Sequence, residues 1–175
     1  MRTLLTLLVL TFLGVPSAQG PKPPFSLSVV PTFNHGEGDG SIEMARQMAR
    51  EFYVVLTNVS GESQAIWESW NSWGYRAISF EITTADGKRF VISKGLEEFT
   101  VNGPTTFVVE PGEHQVYAIR LDKSWDVRPS LTKHDEMPIT LKAVYEVFST
   151  PESAQFRVWT GRIESRSYKL SLRQW

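Results

Sequence analysis

Regular alternation of apolar and polar residues in short segments is the feature that most constrains how this chain folds. Ile78, Phe80 and Ile82 alternate with polar residues. A period of two places these three side chains on one face of a β-strand. Asp86 and Gly87 follow, and both tolerate positive φ, which favours a tight hairpin. The sequence therefore predicts a half-buried strand that turns back on itself.

The same pattern recurs along most of the chain. Turn residues separate the alternating segments about every 8–12 residues, the spacing of antiparallel sandwiches and barrels. No helical period is long enough to supply the crossovers of a parallel sheet. We therefore expect an all-β, antiparallel domain with about eight strands. The predicted strands cover residues 25–29, 52–57, 64–68, 76–84, 89–93, 105–110, 114–121, 139–147, 162–164 and 168–172.

Three shorter segments need separate interpretation. Ile42, Ala45 and Ala49 fit one face of a helix, but the same segment could lead directly into the next strand, so we expect a short helical turn or an extended arm. The Asn-Val-Ser sequence that begins at Asn58 matches a glycosylation acceptor. In a chain without disulfides we interpret it instead as the turn that ends a strand. Residues 149–153 are predicted to be a loop.

The first 20 residues have a different character. Arg2 precedes the apolar run Leu4–Leu13, and small residues follow, including Ala18 and Gly20. This order is typical of a secretory signal peptide, and the run is shorter than the roughly 20 residues of a membrane span. We therefore expect a signal peptide at 1–20, one β-sandwich domain at 21–175 and no membrane span in the mature chain. The predicted location is the periplasm or the extracellular space.

Composition excludes several classes of function. The chain contains no cysteine, which rules out disulfides, a lipidated cysteine anchor and a Cys–His nucleophile pair. Its 18 Lys and Arg residues are balanced by 19 Asp and Glu residues. Such a balance provides no general attraction to nucleic acid. We expect no nucleic-acid partner and no cofactor.

The most distinctive local feature is a cluster of four aromatic residues, Trp67, Trp70, Trp73 and Tyr75. If exposed, these residues could form a platform on which a sugar or a peptide stacks. Alternatively, one Trp is buried between the sheets and the others seal an end of the sandwich, and we favour this interpretation. The spacing allows at most two of the side chains to share a surface. The four residues remain the candidate binding site.

No catalytic or metal-binding motif is evident. His35, Glu37 and Asp39 lie in a Gly-rich loop, but they lack the spacing of a calcium-binding loop. The His-Asp-Glu sequence at 134–136 is contiguous, whereas histidine ligands normally recur at longer spacings. There is no Gly-x-Ser-x-Gly nucleophile elbow. We therefore predict no metal site, no catalytic residues and no enzymatic activity.

Several motifs resemble known exported domains. The segment 52–94, with its Thr-Asn-Val-Ser turn and the run Ile-Ser-Phe-Glu-Ile-Thr-Thr-Ala-Asp-Gly-Lys, is similar to BsuPI-type proteinase-inhibitor domains, as is the Pro-Gly-Glu turn at 111–113. The segments 143–147 and 158–165 resemble uncharacterised exported proteins of planctomycete-type bacteria. This resemblance implies a two-sheet, immunoglobulin-like sandwich. It provides no active-site residue to transfer, because the motifs consist of turns and core positions.

Three functions are compatible with these observations. The first is a non-catalytic binding module of the cell envelope or extracellular space, which engages a protein, a peptide or an envelope glycan through loops or an exposed strand edge. The second is a proteinase inhibitor, which would present the long loop from Asp122 to Pro138. The third and least favoured is an envelope hydrolase. Fold alone does not decide among them.

Overall fold

Nearly all of the regular structure in this protein is β-strand. The computed structural model describes residues 22–33, 39–44, 49–126 and 136–174, and these ranges contain twelve strands and one short helix. The strands are β1 (Phe25–Val30), β2 (Ser41–Met44), β3 (Phe52–Asn58), β4 (Gln64–Trp67), β5 (Ile78–Thr84), β6 (Arg89–Lys94), β7 (Thr106–Val109), β8 (His114–Ile119), β9 (Trp125–Asp126), β10 (Glu136–Val147), β11 (Gly161–Glu164) and β12 (Tyr168–Gln174), and the helix is α1 (Pro151–Gln155). The predicted all-β fold is confirmed. The predicted signal peptide lies outside the described residues.

The strands form three hydrogen-bonded sheets. A seven-stranded sheet has the order β2-β12-β10-β5-β6-β9, with β11 also paired to β10. A three-stranded sheet has the order β1-β3-β8, and β4 pairs with β7. Among the described strands every pair is antiparallel except β2–β12, which is parallel. The sequence did not predict this exception, because no hairpin joins strands so far apart in the chain.

The core lies between the three-stranded and seven-stranded sheets. Phe52 of β3 packs against Phe80 of β5 with ring centroids 5.3 Å apart, and Tyr117 of β8 faces Tyr145 of β10 at 6.2 Å. Both phenylalanines are fully buried. Burial of such a side chain contributes about 1.5–3 kcal/mol, so facing rows of this kind hold the two layers together. The antiparallel sandwich predicted from the alternation is therefore confirmed.

A kink divides one long ribbon into two parts. β3 continues into β4, and β7 into β8, so the β3–β8 and β4–β7 pairs are successive halves of the same ribbon. At the kink, Asn58 is completely buried and its side-chain amide donates to the carbonyl oxygens of Glu62 (2.7 Å) and Val109 (2.8 Å). Its Oδ1 accepts from the Ser60 amide (3.0 Å) and hydroxyl (2.7 Å). The turn interpretation of Asn-Val-Ser is confirmed.

Two of the shorter segments adopt structures that the sequence left open or missed. The segment 41–44 is extended as β2, and residues 45–48 lie outside the described ranges. Residues 149–153, predicted as a loop, lead into α1. Thr150 caps this helix by accepting from the Ser153 amide, while the Ser153 hydroxyl accepts from the Thr150 amide. A helix of five residues is too short to show a helical period.

The outer face of the seven-stranded sheet carries a network of ion pairs. From β11, Arg162 reaches Glu81 on β5 (2.6 Å), Glu146 on β10 (3.3 Å) and its own neighbour Glu164 (3.1 Å). By strand alternation, Val144 faces the same side as Glu146, yet Val144 is fully buried. Val144 is therefore a buried apolar position on the face that carries the ion pairs, and its register partner on β11 is Glu164.

Candidate functional site

Several sheet edges in the described part of the chain are covered or short. A side chain of β12 covers part of the outer edge of β1, because the Tyr168 hydroxyl accepts a hydrogen bond from the Val29 amide (3.0 Å). β2 is buried along its whole length, and Ser41 exchanges backbone hydrogen bonds with Phe33. At the other end of the seven-stranded sheet, β9 has only two residues. Three strands of the described part pair with one strand each and have no recorded cover on the other side, namely β7 with β4, β8 with β3 and β11 with β10. β8 is the longest of the three, with six residues against four in β7 and in β11.

The hydrogen bonds at the kink show which backbone groups of β8 are free. Asn58 donates its amide to the Glu113 carbonyl (3.0 Å), so the even-numbered residues of β3 point their backbone groups toward β8. Their partners in register are Gln115, Tyr117 and Ile119. In an antiparallel ladder the intervening residues face the other way. The N–H and C=O groups of Val116 and Ala118 therefore point outward, and within the described ranges they bind only the Gln115 side chain, which reaches the Val116 carbonyl at 3.5 Å.

Two adjoining cavities lie along this open edge. One, of about 160 Å³, lies between residues 115–119 of β8 and a wall that includes Tyr75, Lys94 and Trp125. The other, of about 220 Å³, lies between β8 and a wall that includes Trp67, Trp70 and Phe107. Gln115 and Tyr117 line both cavities. We call the open edge of β8 and these two cavities the edge cleft.

The structure separates the four aromatic residues that the sequence singled out. Trp67 is 2% exposed and lies in the core, with the ring of Trp73 centred 5.8 Å from its own. Trp70 is 53% exposed, and its indole N–H donates to Glu68 Oε2 (2.8 Å). Tyr75 is half-buried in the other cavity. The core interpretation thus fits Trp67 and Trp73, and a partner in the cleft would meet mainly Trp70 and Tyr75. Their binding role stays a prediction.

Asn71 fixes the conformation of the segment that carries these aromatics. It is fully buried, and its Oδ1 accepts from the amides of Trp73 (3.1 Å) and Gly74 (3.0 Å). Its side-chain amide donates to the Thr105 carbonyl (3.0 Å), just before β7. Because these bonds tie the segment to the β4–β7 ribbon, the wall of the cleft is preformed.

Lys94 is the charged group of the cleft. Its ammonium nitrogen lies 4.4 Å from the ring centre of Tyr75 and 5.6 Å from that of Trp125, distances at which a cation interacts with an aromatic face. Burial lowers the pKa of Lys94 below its usual 10.5, while Asp122 and Glu97 act in the opposite direction. Burial also raises the pKa of Tyr75, with a further contribution from Glu97.

Two buried phenols lie behind the cleft. The hydroxyls of Tyr117 and Tyr145 are buried and have no hydrogen-bond partner within 3.5 Å among the described residues. Burial raises the pKa of both groups. Both therefore remain neutral at physiological pH, and Tyr117, which lines both cavities, adds no charge to the cleft.

The remaining candidate groups do not converge on one site. Asp39 is engaged by Arg166 (2.8 Å), and Glu136 pairs with Arg173 (3.2 Å). The remaining residues of these two groups lie outside the described ranges; they are residues 35, 37, 134 and 135. Residues 127–135 of the candidate inhibitor loop also lie outside them. The described ranges contain no group of three or more metal-ligating His, Asp or Glu side chains and no helix long and apolar enough to cross a membrane.

Sequence reasoning missed several residues of the cleft. Phe107 and Trp125 were not singled out, although both line it. Lys94 was also missed, although the sequence contains a signal for it. Lys94 follows Phe90 and Ile92 with a period of two, so the three side chains share the inward face of the strand. A lysine in phase with two core residues indicates a cation held inside the domain. No family model and no curated protein matches the sequence. The case for a function therefore rests on the cleft.

Proposed function

We propose that this protein is an exported, non-catalytic binding module that accepts an extended segment of a partner protein as an additional strand along β8. The observation that carries the proposal is the row of outward-facing N–H and C=O groups on Val116 and Ala118, none of which is paired with another strand of the described structure, beside an aromatic cleft. Strand addition to an open edge is a common mode of peptide recognition, in which backbone bonds supply affinity and side-chain cavities supply specificity.

The backbone pattern favours a peptide over a glycan. Donors and acceptors alternate along the β8 edge with the spacing of a β-ladder, and the backbone of an extended peptide has the same spacing. Sugar hydroxyls have no such repeat. Two edge residues provide only a few hydrogen bonds, each contributing about 1 kcal/mol. Useful affinity therefore requires side chains of the partner to fill the two cavities, where Trp70 and Phe107 are 53% and 42% exposed.

The proposal includes the location and the finer fold class. The order of charge, apolar run and small residues in the first 20 residues supports export to the periplasm or the extracellular space. Two packed sheets of mainly antiparallel strands, together with the motifs described above, support an immunoglobulin-like sandwich. Open strand edges and loops at the ends of such domains commonly bind partners.

A proline at the open edge tests strand addition directly. The Val116 amide points away from β3, so Val116→Pro removes a donor from the free edge without removing a hydrogen bond of the sandwich. Val116→Thr is the matched control, because it keeps both the β-branch and the amide. The probe is a set of peptides selected from a random phage-displayed library against the native protein.

We expect the selected peptides to bind the native protein and Val116→Thr alike, and to bind Val116→Pro at least about tenfold more weakly. Thermal unfolding and circular dichroism must show that the proline variant is folded. Equal affinity of a folded Val116→Pro variant for the selected peptides would refute strand addition at β8. So would a selection that yields no binding peptide.

A further inference from the structure

Lys94 occupies a position that a core residue would normally fill. The alternation of β6 directs Phe90, Ile92 and Lys94 to the same face, and Ile92 is fully buried there. Lys94 is the last residue of β6, and its register partner across the sheet is the buried Trp125. The lysine side chain therefore enters the interlayer space at the place where the sandwich opens toward β8, and it lines the smaller cavity.

The ammonium group of Lys94 has no carboxylate partner within 4.0 Å in the described part of the chain. Two acidic groups lie farther away and have other partners. Asp122 Oδ1 accepts from the Ser124 amide (2.8 Å) and hydroxyl (2.6 Å), and Glu97 Oε2 accepts from the Tyr75 hydroxyl (3.5 Å). A half-buried cation without an ion pair is costly, because the aromatic faces replace only part of its hydration.

The side of this cavity that β8 forms supplies no anion. It is the open edge of β8 from Gln115 to Ile119, and none of its side chains is ionised at neutral pH. An ammonium group has three N–H donors and can form a hydrogen bond with each of them. Within the described ranges, the acceptor that Lys94 lacks on this side can therefore be supplied by a strand that binds along that edge.

We infer that the partner strand carries an acidic side chain at an inward-facing position, where its carboxylate binds the ammonium group of Lys94. This inference rests on the proposed strand addition and specifies its ligand. Side chains on one face of a strand recur every two residues, about 6.6–6.8 Å apart. The larger cavity shares Gln115 and Tyr117 with the smaller one. An apolar side chain two residues from the acidic one therefore faces Trp70 and Phe107.

Synthetic peptides of six residues, the length of β8, test this inference. The probes alternate valine and threonine, carry phenylalanine at one inward position, and carry glutamate, glutamine or lysine two residues away. Acetyl and amide groups block their ends, so that the side chain is the only anion. A fourth peptide contains glutamine and has a free C-terminal carboxylate, the alternative source of the same chemistry. Affinities are measured by isothermal titration calorimetry.

We expect the glutamate peptide to bind the native protein at least about tenfold more tightly than the glutamine peptide, as for a charge-assisted hydrogen bond. Lys94→Gln should remove this preference, and Lys94→Glu should reverse it in favour of the lysine peptide. Lys94→Gln should fold, because it removes a half-buried cation without an ion pair. Lys94→Glu places a carboxylate near Asp122 and Glu97, so its stability should be lower, and thermal unfolding must show that it is folded at the temperature of the titration. A general loss of structure would weaken the binding of all peptides, so it cannot reverse the preference from the glutamate peptide to the lysine peptide.

The possible failures can be distinguished. If the blocked peptides bind, lose affinity in Val116→Pro, and show no preference among glutamate, glutamine and lysine, strand addition stands and the role of Lys94 is overturned. If only the peptide with the free C-terminus binds tightly, the side-chain assignment is also overturned. If no peptide binds, or if Val116→Pro binds as well as the native protein, both proposals fail.

Discussion

Replacing Asn58 by alanine tests whether the kinked ribbon depends on one buried amide. The Asn58 side chain makes four hydrogen bonds, two to carbonyl oxygens and two from Ser60. The Ser60 hydroxyl and the Glu62 carbonyl remain bonded to each other at 3.0 Å, so two groups, the Ser60 amide and the Val109 carbonyl, lose their partner. At about 1–2 kcal/mol for each group left without a partner, Asn58→Ala should lower the free energy of unfolding by about 3 kcal/mol.

The measurement is urea unfolding followed by tryptophan fluorescence, for which the chain has six tryptophans. For a domain of this size, about 3 kcal/mol corresponds to a decrease of about 10 °C in Tm. Ser60→Ala is the matched control. Ser60→Ala removes the half-exposed hydroxyl that donates to Asn58 Oδ1. It should lower the free energy of unfolding by less than about 1 kcal/mol.

A loss below about 1 kcal/mol in Asn58→Ala, with an unchanged denaturant slope, would show that the reasoning is wrong. The kink would then be held by its backbone bonds, the Asn58 amide to the Glu113 carbonyl (3.0 Å) and the Gly112 amide to the Asn58 carbonyl (2.9 Å). Both bonds survive the substitution. This result would also mean that the orientation of the β4–β7 pair relative to β8 does not depend on the Asn58 side chain.

Two further predictions concern backbone strain and acid stability. Gly161 has φ +142°, and an added Cβ would lie 2.9 Å from a ring carbon of Trp159, whereas Gly87 has φ +82° and no atom within 4 Å of an added Cβ. Gly161→Ala should therefore cost about 3 kcal/mol and Gly87→Ala about 1 kcal/mol, measured by urea unfolding. Equal losses would contradict the steric argument. Lys142 and then Arg162 lower the pKa of Glu164 below its usual 4.5. A lowered pKa stabilises the fold above pH 4.5, and this contribution is lost as the pH falls through the folded-state value. Because Glu164 is largely exposed, Glu164→Gln should remove less than about 1 kcal/mol at pH 7 and reduce the loss of stability between pH 5 and pH 3. An unchanged acid profile in unfolding experiments would refute this assignment.

The faces of the strands could be predicted from the sequence. Ile78, Phe80 and Ile82 are buried as their alternation requires, and along β8 the side chains of Tyr117 and Ile119 point inward. These predictions succeed because the two-residue period of a strand is a local property of the backbone. Any strand with one buried face must show the period, whichever strands it pairs with.

The partners of the strands could not be predicted in the same way. The alternation of β2 and β12 does not reveal that these strands pair in parallel, and no local pattern reveals that Asn58 bends one ribbon into two sheets. The aromatic cluster shows the same limit. Trp67 and Trp70 are three residues apart in one sequence motif, but Trp67 ends a buried strand whereas Trp70 lies in the turn that follows. Tertiary contacts decide which of these side chains reaches solvent.

The chemistry of β8 supports the view that its open edge has a use. Exposed edges can pair with other chains, and proteins usually protect them with lysine, proline, bulges or covering segments. The sequence of β8, His-Gln-Val-Tyr-Ala-Ile, contains no lysine and no proline, and its register with β3 is continuous over all six residues. Elsewhere in the described structure, Tyr168 covers the edge of β1, and β2 is buried. Within the described structure, an edge without these protections beside preformed aromatic cavities fits the proposed partner strand, and the inward-facing cation at Lys94 fits the acidic side chain that we propose for that partner.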